Sequence, residues 1–153
     1  MNNVRGLLQL TAVIGLGAFF GVLVMAWLTL VPYWRNLDPE AFTVQFALLN
    51  GPIIRTIGAV LVPTLISLLT SLWLGWATPG RWLWLAATLC LAVLLIMTAV
   101  YFLPQNSVFA AGTLPPSEVG PALTQWANLH IVRVVLALGA TVCAAQALTT
   151  GRV

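Results

Sequence analysis

Residues 7–31 read LLQLTAVIGLGAFFGVLVMAWLTLV and contain no charged side chain. A helix needs about 20 apolar residues to cross the hydrocarbon core of a bilayer, and this run is long enough. It is too long for the apolar core of a cleaved signal peptide, about 7–15 residues. The run is therefore read as a retained transmembrane helix that ends at Pro32. Three further runs qualify on the same grounds: residues 52–76, residues 82–103, ended by Pro104, and residues 127–148. The expected fold is all-α, a four-helix bundle integral to a membrane, with residues 1–153 forming one domain.

Composition supports this reading. The 153 residues are 61% hydrophobic and 6% charged. A soluble domain carries roughly 25% charged residues. Six basic and three acidic side chains cannot cover a water-facing surface of this size, so lipid must cover most of it. The net charge of +3 comes from scattered arginines and forms no basic stripe or run, which argues against a nucleic-acid partner. Cys90 and Cys143 lie far apart in apolar segments, outside any CxxC motif, and are read as small packing residues.

The connections differ in length. Spans two and three are joined by ATPGR, residues 77–81. Span one is followed by PYWRNLDPEAFTVQFALLNG and span three by PQNSVFAAGTLPPSEVGP. The two long connections share one side of the membrane. The short turn and both termini share the other. Arg5, Arg81 and Arg152 mark the terminal side, whereas Asp38, Glu40 and Glu118 lie with Arg35 on the long-connection side. The positive-inside rule puts both termini in the cytoplasm, and the expected location is a bacterial inner membrane. The long connections are expected to be partly helical. Asp38 with Pro39 and Glu40 has the pattern of a helix start running toward span two, and Ser117 with Glu118 suggests another leading into span four.

The segment WANLHIVR, residues 126–133, places a polar cluster at the start of span four. Trp126, His130 and Arg133 are spaced i, i+4, i+7 and fall within about 60° on one helix face. An arginine inside a span is costly if it faces lipid, so this face should point into the bundle. Asn50 and Arg55 near the start of span two and Asn106 after span three are candidate partners at the same level, with Gln45 and Gln125 nearby in sequence. The expected picture is a polar pocket roofed by the long connections. A plainer alternative is that both arginines snorkel to the interface and that His130 hydrogen-bonds a backbone carbonyl. Trp73, Trp76, Trp82 and Trp84 are read as an interfacial belt around the short turn, and Trp27, Tyr33 and Trp34 as a belt at the other interface. Gly15, Gly17 and Gly21 should permit close helix packing and would allow a homo-oligomer without requiring one. Pro63 should kink span two.

One histidine, two distant cysteines and three loop carboxylates do not make a self-contained metal site. No acid accompanies His130 for a Ser-His-Asp arrangement, and no glycine-rich phosphate loop is present. What remains is an imidazole, guanidinium and amide groups and an indole beside an apolar interior. That set can take a proton from an acidic C–H and hold the resulting enolate. Imidazole titrates near neutral pH and suits the base. Arginine and asparagine side chains suit the oxyanion. Trp126 can stack on a flat ring, and Asn50 and Arg55 are further candidates for substrate binding. The same set would also suit a quinone, or haem through one axial histidine. A non-enzymatic role, as a partner subunit or binder of small lipophilic molecules, is a third reading.

The stretch VYFLPQNSVFAAGTLPPSEVGPALTQWANLHIVRVVLAL, residues 100–138, resembles the C-terminal half of the anthrone oxygenase family of small four-span membrane proteins. In that family a Pro-x-Asn near the end of span three precedes a polar loop, and a Trp-x3-His-x2-Arg pattern opens span four. The matching residues are Pro104, Asn106, Trp126, His130 and Arg133. FFGVLVMAWLTLVPYW and FALLNGPIIR match the first half in hydropathy and layout. The resemblance implies oxidation of anthrones to anthraquinones by O2 without metal or flavin. It further implies His130 as base, Arg133 and Asn106 holding the anthrolate oxygen, and Trp126 stacking on the ring.

Overall fold

The computed structural model describes residues 2–150. Four helical rods, Asn3–Arg35, Pro39–Gly75, Arg81–Ala111 and Pro116–Thr150, are each long and apolar enough to cross a membrane. No strand occurs among the described residues. The chain is an integral membrane protein and an all-α four-helix bundle. Arg152, assigned above to the terminal side, lies outside the described residues.

The rods outrun the expected spans. At 1.5 Å per residue, the 37 residues of Pro39–Gly75 extend about 55 Å, well beyond a hydrocarbon core of about 30 Å. The long connections are therefore helical almost throughout. The first rod is α1 (Asn2–Met25), a π-helical turn (Ala26–Leu30) and α2 (Val31–Arg35). The second is α3 (Pro39–Gly75). The third is α4 (Arg81–Met97), a second π-helical turn (Thr98–Phe102) and α5 (Leu103–Ala111). The fourth is α6 (Pro116–Thr150).

Pro32 and Pro104 do not end their helices, contrary to the sequence reading. A proline lacks the N–H that bonds back along the helix, and its ring crowds the carbonyl four residues earlier. In both rods a π turn comes immediately before. The Val31 N–H bonds the Ala26 carbonyl and the Leu103 N–H bonds the Thr98 carbonyl, five residues back in each case. The widened turn absorbs the proline, and the rod continues. α3 also passes unbroken through Pro52 and Pro63.

The helix starts are local chemistry. Asp38 caps α3, its carboxylate accepting from the Ala41 N–H at 2.8 Å. α6 begins two residues earlier than a Ser117 N-cap would give. Pro116 takes the first position and Ser117 lies inside the turn, while the Glu118 N–H bonds the Pro115 carbonyl at 2.9 Å. α5 stops at Gly112, whose φ of 63° is left-handed, and a Cβ there would stand 2.8 Å from Thr43 Cγ2.

α1 lies between α3 and α6, and α4 lies against α6 and α3, so the rods close into a ring. α6 supplies its centre line. Val119, Leu123, Trp126, His130, Arg133, Ala137, Ala140, Ala144 and Ala147 are buried, at alternating steps of four and three. This is a heptad seam, and its alanines let neighbouring helices come close. On α1, a Cβ at Gly15 would collide with Thr64 Oγ1, so this glycine sets the approach of α1 to α3. Gly17 is in ordinary contact range, 3.9 Å from Thr141 Cγ2, and Gly21 faces open space. Only the first of the three glycines serves close packing within the bundle.

The core divides in two. At the terminal end Leu16, Phe19, Leu23, Leu68, Trp84, Leu91 and Leu94 pack with the alanines of α6. At the other end Trp34, Phe42, Phe46, Phe102, Phe109 and Trp126 form an aromatic cluster. Trp73, Trp76 and Trp82 are exposed, as an interfacial belt requires. Trp84 and Trp34 are buried and belong to the two cores instead.

Candidate functional site

A cavity of about 340 Å³ lies at the seam between the two core clusters, within the range of small-molecule sites. Its walls are mostly apolar and come from all four rods. The two π turns and Pro52 of α3 all border it, so three of the four rods depart from regular helix or carry a proline at this level. The cavity also reaches the outside of the bundle. Met25, Ile54 and Leu103 line it, yet stay 45%, 44% and 46% exposed on a surface that lipid would cover.

α6 brings Trp126, His130 and Arg133 to this cavity, as the i, i+4, i+7 spacing requires, with exposures of 5%, 2% and 6%. Asn106 of α5 and Asn50 of α3 also line it. Arg55 does not: it is exposed and off the wall, and neither Gln45 nor Gln125 reaches the cavity.

Hydrogen bonding fixes the orientation of two of these groups. A ring nitrogen of His130, Nε2, lies 3.0 Å from the Leu23 carbonyl. A carbonyl can only accept, so Nε2 carries the hydrogen and Nδ1 of the neutral ring carries the lone pair. The plainer expectation of a backbone bond at His130 is met, but it occupies one nitrogen only. Nδ1 is buried and has no partner. Likewise, Trp126 Nε1 donates to Asn106 Oδ1 at 2.8 Å. An indole N–H can only donate, so the amide oxygen faces Trp126 and the Asn106 NH2 is left for other acceptors.

Packing holds the imidazole still. The Trp126 indole stacks on it at 4.8 Å with the planes 8° apart, and Phe102 meets it edge-on at 6.2 Å. The indole face expected to meet a ligand is thus spent partly on His130. The Arg133 guanidinium sits 4.1 Å above the Phe102 ring, a cation–π contact. The acids Asp38, Glu40 and Glu118 are all exposed, and Arg133 pairs with none of them. Its Nε has no hydrogen-bond partner.

Among the described residues three buried side-chain polar atoms lack a partner: His130 Nδ1, Arg133 Nε and Trp34 Nε1. All three residues line this one cavity. Native interiors leave few such groups, and here the three sit on residues of one cavity. No cluster of three or more His, Cys, Asp or Glu side chains occurs among the described residues.

A sequence profile of the anthrone oxygenase family matches residues 46–143. The chain belongs to the anthrone oxygenase family. The match takes in Asn50, Asn106, Trp126, His130 and Arg133, the polar side of the cavity. It leaves out α1 and α2, which supply the Leu23 carbonyl and Trp34. No curated protein and no solved structure matches the chain.

Sequence reasoning does not reach Phe102 or the Leu23 carbonyl, and it places Trp34 in the interfacial belt with Trp27 and Tyr33, whereas the structure buries it. The available signal was angular: Tyr33 and Trp34 are about 100° apart on a helix, so one can face lipid while the other faces inward.

Proposed function

We propose that the cavity binds a flat, lipophilic aromatic ketone of the anthrone type and that the protein oxidises it with O2 to the quinone. The observation that carries this reading is the pairing, on residues of one mostly apolar cavity, of an unpartnered imidazole lone pair with an arginine that has no acid partner. A base alone would fit many sites. A base beside an uncompensated cation fits a reaction whose proton leaves and whose negative charge stays.

In the proposed sequence, His130 Nδ1 takes a proton from the CH2 of the anthrone. The electron pair of that C–H bond moves into the ring system, and the ketone oxygen becomes an oxyanion. Arg133 and the free NH2 of Asn106 stabilise that charge. Asn50, which also lines the cavity, is a further donor. Trp126 acts through His130 by fixing its plane, and so is a positioning residue. The electron-rich carbon then adds O2 to form a C–O bond, and the resulting peroxide anion takes the proton back from His130 to become a hydroperoxide. The hydroperoxide loses water across its C–H and O–O bonds to give the new carbonyl. One oxygen atom ends in the quinone and the other in water, a four-electron reduction of O2. No metal or organic cofactor takes part. Arg55 has no role in this scheme.

The side opening bordered by Met25, Ile54 and Leu103 supports a substrate that partitions into the bilayer. We further assign both termini to the cytoplasmic side, because Arg5 and Arg81 lie at that end and the acids at the other.

The test is anthrone-dependent O2 uptake by purified protein in detergent with a chelator present. Uptake above the buffer rate that is lost in His130→Ala supports the reading. Equal rates in wild type, variant and buffer overturn it.

A further inference from the structure

Packed side chains bound the cavity along the bundle axis. Toward the long connections, Trp34, Phe46 and Trp126 roof it, and Phe42 and Phe109 pack behind them, with ring centroids in this cluster 5.1–6.1 Å apart. Toward the termini, Leu16, Leu68, Leu91 and Leu94 are buried together with the alanines of α6. The exposed lining residues Met25, Ile54 and Leu103 put the mouth on the flank of the bundle. Two rulers give the height of that mouth. On α3, exposed Arg55 follows Ile54 directly, and exposed Trp73 lies 18 residues further on, about 27 Å at 1.5 Å per residue. On the third rod, exposed Trp82 and Leu103 are 21 residues apart, about 30 Å. Both lengths match a hydrocarbon core of about 30 Å. With Trp73, Trp76 and Trp82 as the belt at one boundary, Ile54 and Leu103 stand at the other. An exposed arginine such as Arg55 belongs at that level, where its head can reach lipid phosphates. Trp27, two residues past Met25, is exposed as a boundary residue should be.

We propose that this mouth is a lateral entrance through which the ligand arrives from the leaflet farther from the chain termini, and not from water. This rests on the reading of the cavity as a ligand site, and adds the route and the leaflet. The molecule it admits is flat, uncharged and lipophilic, and is dissolved near the headgroup boundary. A ligand coming from water would have to part the aromatic roof, which includes Trp126, the residue that fixes the plane of His130. A ligand coming through the mouth passes Met25, Ile54 and Leu103, side chains that lipid already covers. The backbone there is irregular as well. Met25 directly precedes the first π turn, Leu103 directly follows the second, and Pro52 lies two residues before Ile54. Such features interrupt the regular hydrogen-bond ladder that stiffens a helix, so the walls beside the mouth are the ones best able to give way.

The test separates route from binding and does not depend on turnover. The full chain is reconstituted in lipid vesicles in one orientation, and binding of fluorenone, an inert aromatic ketone, is followed by stopped-flow quenching of tryptophan fluorescence. Ile54→Trp fills the mouth with an indole at a depth that suits one. Association and release are both expected to slow by about tenfold, within the range of on-rates among variants of one site, with Kd unchanged. Leu103→Trp should do the same, and serves if Ile54→Trp fails to fold. Val62→Trp, exposed on the same helix but off the cavity wall, should bind at the wild-type rate. The leaflet is tested with fluorenone tethered to a trimethylammonium group, which stays in the leaflet to which it is added. Quenching that free fluorenone displaces is expected on addition from the side away from the termini, and not from the terminal side. Unchanged rates in the mouth variants overturn the proposal. So does weaker affinity at an unchanged association rate, which would make Ile54 and Leu103 parts of a wall. Displaceable quenching from the terminal side overturns it too. If wild type binds no fluorenone, the cavity reading itself fails, and that outcome is distinct from the others.

Discussion

Replacing Arg133 with methionine separates a functional arginine from a structural one. The guanidinium is buried to 6% exposure, lies 4.1 Å above Phe102 and has no acid partner. Removing it therefore strands no opposite charge, which is what usually makes deletion of a buried ion-pair member so damaging. A desolvated cation–π contact stabilises by about 2 kcal/mol. An arginine within a span costs about 2.5–3.5 kcal/mol on insertion scales. Methionine keeps the length and fills the same space without that cost. The balance for Arg133→Met is thus within about 1 kcal/mol of zero, on the stabilising side. Turnover should behave differently. Loss of one oxyanion donor costs about 100- to 1,000-fold in kcat. The assay is paired: SDS titration of the folded protein in mild detergent for stability, and anthrone-dependent O2 uptake per folded molecule for activity. Stability held with activity lost is expected. A loss of more than about 2 kcal/mol in stability, with activity per folded molecule retained, would show Arg133 to be a structural residue and refute the reasoning.

Other substitutions probe neighbouring parts of the account. Asn106→Asp keeps an acceptor for the Trp126 N–H but removes the amide donors and adds a negative charge beside the oxyanion. Thermal stability should hold while turnover falls at least about 100-fold. Asn106→Leu instead leaves the Trp126 donor unpaired and should cost about 1–3 kcal/mol in the same SDS titration. Arg55→Ala should leave O2 uptake unchanged, since that side chain is exposed and off the cavity wall. Gly15→Ala should destabilise the bundle by about 1–3 kcal/mol by forcing α1 off Thr64, whereas Gly21→Ala, facing open space, should not.

Features that depend on local periodicity could be read from the chain alone. The four rods follow from uninterrupted apolar runs, and Trp126, His130 and Arg133 share a face because a single helix carries them. Asp38 caps α3 as its neighbours suggest. Features that depend on azimuth between helices could not be read in the same way. Arg55 lies only five residues after Asn50, yet its side chain is exposed and off the wall that Asn50 helps to form, which depends on how α3 packs against its neighbours. Trp82 and Trp84 are about 200° apart, and only one of them can face lipid. Pro32 and Pro104 read as stops because a regular helix cannot carry them, and no local pattern announces the π turn that lets each rod continue. The Leu23 carbonyl that fixes the His130 tautomer is a backbone atom more than a hundred positions away, with a separation of 107, and sequence carries no signal for it.

The proposed reaction begins with removal of a proton by Nδ1 of His130 from a ketone-activated carbon inside the cavity. Anaerobic hydrogen–deuterium exchange tests it without O2, product or any later step. Anthrone is incubated in heavy water with purified protein under argon, and loss of its CH2 signal is followed by proton NMR. Exchange faster than in buffer is expected with wild type, and exchange at the buffer rate with His130→Ala. Equal acceleration by wild type and His130→Ala, or none by wild type, would contradict it.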